Sequence, residues 1–110
     1  MKIILVFFIL LSFGCYTPQS EINKNTSNLS KLTTRMKDEE VIKVMGVPRL
    51  TEMHETLNGE PVIIYFYYTK KRWAYYSYTK DDMTPVVIEN ERLAGWGDEF
   101  YKNRVQTYKK

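Results

Sequence analysis

The chain has 110 residues, of which 44% are hydrophobic and 26% charged, and a formal net charge of +3 at pH 7. The charge is spread along the chain and forms no basic block, so no nucleic-acid partner is implied. One cysteine rules out an intrachain disulfide framework, and with one histidine no multi-ligand metal site can be assembled, so no cofactor and no metal are expected.

Met1 and Lys2 are followed by nine uninterrupted apolar residues, 3–11, then Ser12, Phe13, Gly14 and Cys15, after which the sequence turns polar. This run is shorter than the roughly 20 apolar residues that span a bilayer, and its single positive charge and small residues match an export signal. Cleavage before Cys15, with acylation of its thiol, resembles the processing of a bacterial lipoprotein and accounts for an unpaired cysteine in an exported chain. Ser12 and bulky Phe13 depart from the usual lipobox. The other reading is a plain secretory signal cut near Gly14, which leaves Cys15 as a free thiol or an intermolecular disulfide former. Tyr16, where an aspartate would retain a lipoprotein at the inner membrane, favours the outer membrane.

Residues 1–14 are thus predicted as a lipoprotein signal peptide, whose removal takes Lys2 and lowers the charge to +2. Residues 15–28 contain Ile22 as their sole aliphatic side chain and are predicted as a lipid-anchored flexible tether. Residues 29–110 then form one domain, rich enough in aromatic residues to build a core without disulfides.

Leu29 and Leu32, behind Ser27 or Asn28 as a cap, predict a short helix over 28–33. Asp38, Glu39 and Glu40 load the first turn of a second helix, which runs to Met45. Lys43 sits near its end, Gly46 is placed for a C-terminal cap and Pro48 prevents continuation. Val41, Val44 and Met45 share one face, expected to seal against a sheet. A strand over 49–57 leads to a two-residue hairpin turn at Asn58-Gly59. Its partner, 61–69, is β-branched and aromatic on both faces, as a central strand would be.

Residues 73–79 read equally as strand or aromatic loop, ahead of a polar turn at Lys80-Asp81-Asp82. Strands over 84–89 and 92–96 make a second hairpin around Asn90-Glu91. Asp98 is placed to cap a final helix with Tyr101, Val105 and Tyr108 at helical spacing and Lys109 and Lys110 at its end. The fold class is α+β: two N-terminal helices on one face of a small antiparallel sheet of three to four strands, followed by a short C-terminal helix.

Leu29, Leu32, Met36, the acidic turn 38–40, Val41, Gly46 and Pro48 resemble the "L..L..GMT..EV...LG.P" opening of the BamE family, also called SmpA or OmlA. The stretch TPVVIENERLAGWGDEFY is similar to the hairpin of related small lipoproteins of the same fold. The resemblance covers residues 29 to about 101. Arg35 stands where that family has Gly, and Lys37 where a Thr would cap the helix, so Thr34 or Asp38 is expected to take over the cap. The resemblance implies an accessory subunit of the machinery that inserts β-barrels into the outer membrane. A similar fold occurs in β-lactamase inhibitors. No partner-binding residue carries over from it.

The chemistry-bearing residues are few. His54 reads as a surface imidazole, and the carboxylate pairs Glu39-Glu40, Asp81-Asp82 and Asp98-Glu99 fit helix first turns or a turn. The aromatic-basic stretch 65–80 has two readings. Either its rings divide between the core and the shielding of a small sheet, or one aromatic row is surplus. A sheet covered on one side needs Val62, Ile64, Phe66 and Tyr68 or the alternate row, which would leave Tyr65 and Tyr67, extended by Trp73 and Tyr76, as a protein-binding surface. The chain is therefore expected to be a non-enzymatic, lipid-anchored envelope protein that binds another protein. The alternative is a periplasmic or surface inhibitor or ligand-binding lipoprotein.

Overall fold

The computed structural model describes residues 18–70 and 79–110. Cys15, Trp73 and Tyr76 lie outside them, as does the segment 73–78 left open between strand and loop. The elements are α1 (Pro18–Leu29), α2 (Asp38–Met45), β1 (Leu50–Glu55), β2 (Pro61–Tyr68), a 3-10 turn (Lys80–Asp82), β3 (Met83–Glu89), β4 (Arg92–Trp96) and α3 (Asp98–Val105). The strands form one antiparallel meander in the order β1-β2-β3-β4.

The expected α+β class holds, with two helices ahead of the sheet and one after it. The tether does not. Most of 15–28 lies in α1, a helix of 12 residues that buries Ile22, Asn25 and Asn28. Its sequence has little apolar periodicity, and polar contacts dock it. Arg49 grips Glu21 in a fork, Nε to Oε2 at 2.9 Å and Nη2 to Oε1 at 2.5 Å, and Asn25 donates to the Tyr68 carbonyl at 2.9 Å. The short helix expected over 28–33 is the end of α1 followed by turns that bury Leu32.

α2 matches its prediction: Val41 and Met45 are buried, Val44 packs beside them, and the Gly46 amide closes the helix on Ile42 O at 2.7 Å. Neither Thr34 nor Asp38 caps it. Lys37 holds the N-cap position in an extended conformation because it bridges to Arg92 of β4, and its amide donates to Glu40 Oε1 at 3.4 Å. Asp38 is engaged elsewhere.

The first hairpin turns through three residues. Gly59 donates to Thr56 O at 2.9 Å with φ of +83°, and Thr56 donates to Glu60 O at 2.9 Å, a turn plus a left-handed glycine in place of the expected two-residue turn. The second hairpin turns on Asn90 and Glu91, both at positive φ (49° and 68°), as a mirror-image two-residue turn requires. Pro85 sits inside β3 where β4 has already ended. Its carbonyl accepts from Gly97, so its missing amide costs no ladder bond.

Both sheet faces are covered. Leu32, Val41 and Met45 close over Tyr67, Val86, Ile88 and Leu93, with Ile63 and Tyr65 at the margin. On the opposite face α3 brings Phe100, Tyr101 and Val105 onto Val62, Ile64, Phe66 and Val87. α3 is capped by Gly97, not Asp98, and stops at Val105. Tyr108 is therefore not helical: it turns back and bridges to Thr56, its ring buried against the second face.

Candidate functional site

The fold places the predicted aromatic surface in the core. Tyr67 is 1% exposed, and its hydroxyl donates to Gly46 O at 2.9 Å, tying β2 to the C-terminus of α2. Burial, followed by the proximity of Tyr65 and Asp38, raises its pKa. Tyr65 is half-buried and donates to Asp38 Oδ1 at 2.7 Å; burial and then this bond push its pKa up to about 12. Tyr65 and Tyr67 are thus no surplus row. A sheet covered on one side alone would leave one row free, whereas here α3 covers the other side as well. Trp73 and Tyr76 lie outside the described residues.

A dense polar cluster sits on the α3 side of β1. Glu52 accepts from the Tyr101 hydroxyl at 2.7 Å, lies 3.2 Å from His54 Nε2 and binds the Lys80 ammonium, which also reaches Tyr101 Oη at 3.0 Å. Burial alone would raise the Glu52 pKa, but the bonds from Lys80, Tyr101 and His54 outweigh it and hold the carboxyl below its ordinary value. Burial would likewise lower Lys80, and Glu52 reverses that. A carboxylate already engaged by three donors is an electrostatic clasp that joins β1, the 3-10 turn and α3. His54 also stacks on Tyr108, ring centroids 5.4 Å apart, which places it at a packing seam and not on open surface. Among the described residues no group of three or more His, Cys, Asp and Glu is placed to hold a metal.

A different feature was missed by the sequence reading. The exposed large hydrophobics among the described residues all belong to β1 or the loops at its ends: Val47 (88% exposed), Leu50, Met53 (76%) and Leu57 (76%). β1 is the outer strand of the sheet, paired on one side only with β2. The signal was present in the chain order, since the first strand of a meander lies at its edge, and in the alternation Thr51, Met53, Glu55. Along the lower end of this edge Met53, His54, Pro61, Val62, Lys109 and Lys110 line an open hollow of about 610 Å³.

Fold and surface together define a small α+β domain that presents one apolar sheet edge. The family described as "Protein of unknown function (DUF3192)" matches residues 17–103, and the chain belongs to it. No curated protein and no solved structure matches the chain. The matched span begins at α1, so the helix that composition alone reads as a tether is part of the family's domain.

Proposed function

We propose that the chain is a lipid-anchored, non-enzymatic protein-binding module of the cell envelope, an accessory factor in outer-membrane protein assembly. The observation that carries this reading is the run of nine apolar residues, 3–11, followed by Ser12, Phe13, Gly14 and Cys15, a short distance ahead of a packed helix. Tyr16 and Thr17 alone separate Cys15 from Pro18, where α1 begins. Acyl chains on Cys15 would then hold the domain within roughly 10 Å of the lipid surface, at about 3.3 Å per residue, and not at the end of a long leash. Three acyl chains give firm attachment where a single chain would not. The docking of α1 through Glu21, Ile22 and Asn25 ties the helix nearest the anchor to the folded body, which would favour one orientation of the domain at the membrane.

Protein binding is supported by the apolar side chains exposed along β1 and its flanking loops. A non-enzymatic role is supported by Glu52, whose partners hold it charged and occupied. The test is detergent extraction of native membranes that carry a tagged full-length chain, followed by identification of bound proteins. Co-purification with subunits of the barrel-insertion machinery is expected. Capture of a soluble hydrolase without those subunits would replace the assembly role with an inhibitory one.

A further inference from the structure

The two edges of the sheet are closed by different means. At β4 the connection between α1 and α2 covers the edge: Arg35 donates to Leu93 O at 2.8 Å, and Leu93 donates to Met36 O at 2.8 Å. At β1 the bond from Thr56 to Glu60 O sets the alternation of the ladder, so Thr51, Met53 and Glu55 turn their backbone groups away from β2. The tail after α3 covers the last of these three. Lys109 donates to Glu55 O at 2.8 Å beside the bridge between Tyr108 and Thr56, and Lys110 lines the hollow with His54 and Met53. Tyr108 holds the tail there, its ring buried on the second sheet face and its hydroxyl donating to Glu89.

We propose that this tail keeps β1 from pairing with β1 of a second copy, and that its release joins two chains edge to edge about a two-fold axis through Met53. The inference goes beyond the partner reading above and does not depend on it. An axis through Thr51 sets Met53 opposite the other copy's Arg49, whose amide is turned inward to Phe66 O at 2.9 Å, and an axis through His54 sets Thr51 opposite Leu57, beyond the end of the strand. An axis through Glu52 pairs Thr51 with the other copy's Met53 and the reverse, but it leaves Glu55 opposite Arg49 and brings two Glu52 carboxylates face to face, which is unfavourable. An axis through Met53 pairs all three outward residues within β1: Met53 with its own copy, and Thr51 with Glu55 at both ends. Glu52 then faces His54, and no like charges meet.

The outward groups of β1 are thus their own complement about Met53, and this selects a second copy over an unrelated strand. The Met53 side chain, 76% exposed in the single chain, comes to lie against its counterpart. Pairing closes at two copies, because the β4 edge of each is already covered. In this register the other copy's Thr51 and Glu52 lie opposite Glu55 and His54, where Lys109 and Lys110 run. Tail and second copy compete for the same groups of Glu55, so the chain can pair only in the fraction of molecules whose tail has left the edge.

The test is sedimentation equilibrium of the full chain in detergent micelles, with hydrogen exchange on the same samples. Tyr108→Ala removes the tail's anchor, and Lys109→Pro removes the amide that covers Glu55. Each is expected to tighten self-association at least about tenfold over the parent, since apparent affinity scales with the fraction able to pair. Lys109→Pro, at an exposed position, decides the matter if Tyr108→Ala melts early. In the paired state exchange should slow at the Thr51, Met53 and Glu55 amides. Met53→Lys added to Lys109→Pro sets two ammonium groups across the axis and should return the chain to monomers. Association unchanged by loosening the tail, or kept with Met53→Lys, overturns the proposal. So does protection of Thr51 and Met53 without Glu55, which moves the axis to Glu52, or protection that arises only when membrane extract is added, which assigns the edge to a foreign strand. Each of these leaves the anchored protein-binding reading standing, because recovery of a different chain tests that.

Discussion

The guanidinium of Arg104 on α3 forks onto the carboxylate of Glu89 on β3, Nε to Oε2 at 2.7 Å and Nη2 to Oε1 at 2.9 Å. The Tyr108 hydroxyl donates to the same carboxylate at 2.5 Å. One glutamate thus fixes both the helix that covers the second sheet face and the tail that turns back onto β1.

This arrangement sets the acid response. Burial alone would raise the pKa of Glu89, yet the bonds from Arg104 and Tyr108 hold it below its ordinary value, as the partners of Glu52 do for that residue. A depressed carboxyl contributes stability that is present above the unfolded-state value of about 4.3 and is lost as pH falls through the lower folded value. Melting temperature followed from pH 7 downward should decline below about pH 4.5, and the decline should be shallower in Glu89→Gln. An identical acid slope in that variant would deny Glu89 this role.

Tyr67 is expected to behave as core. Tyr67→Ala should cost about 3 to 5 kcal/mol of stability, on the scale of large aromatic deletions, whereas Tyr65→Ala, at a half-buried margin, should cost less. At alkaline pH the raised pKa of Tyr65, about 12, gives a contribution present below the unfolded value and lost as pH climbs toward that number. Urea melts of the two variants test the order. A Tyr67→Ala protein as stable as the parent would return this residue to the surface.

Gly95 of β4 lies beneath the ring of Phe100, and a Cβ at this position would come within 2.7 Å of it. Gly95→Ala should therefore push α3 off the second sheet face at a cost of about 1 to 3 kcal/mol. Gly95→Ala combined with Phe100→Leu should recover part of the loss. Thermal melts of both variants check the pair, and a neutral single substitution would contradict the close approach.

Arg35 adopts φ of +72°, a left-handed conformation that costs a residue with a Cβ roughly 1 to 2 kcal/mol. Its amide is nonetheless needed, since it covers β4 at Leu93. Arg35→Gly keeps that bond and relieves the strain, offset by the greater freedom of glycine in the unfolded chain, so a net gain of up to about 1 kcal/mol is expected. Denaturant unfolding measures it; a destabilised glycine variant would show that the arginine side chain contributes more than its backbone costs.

What was legible in the sequence was what local chemistry dictates. α2 announces itself by three acidic residues, Gly46 and Pro48, β2 by a β-branched and aromatic run, and the second hairpin by its Asn90-Glu91 turn. α1 was illegible because its stability is tertiary: Glu21 meets Arg49, and Asn25 meets the Tyr68 carbonyl, across distances in sequence that no periodicity counts. The candidate surface failed for a related reason. The sequence leaves Tyr65 and Tyr67 open between core and a free row because it gives α3 little weight as cover, and that cover depends on Phe100 and Tyr101 packing on the second sheet face, with Phe100 over Gly95. The tail reads as helix in sequence because Tyr108 falls at helical spacing, whereas α3 ends at Val105 and the Tyr108 hydroxyl is drawn to Glu89.

The most direct test of the lipid-anchored reading is the mass of the mature amino terminus of the protein purified from native membranes. A chain that begins at Cys15 and carries diacylglycerol on its thiol and an acyl group on its new amine is expected, and Cys15→Ser should release the domain from membranes or leave the precursor uncleaved. A mature terminus upstream of Cys15, or an unmodified thiol, would contradict it.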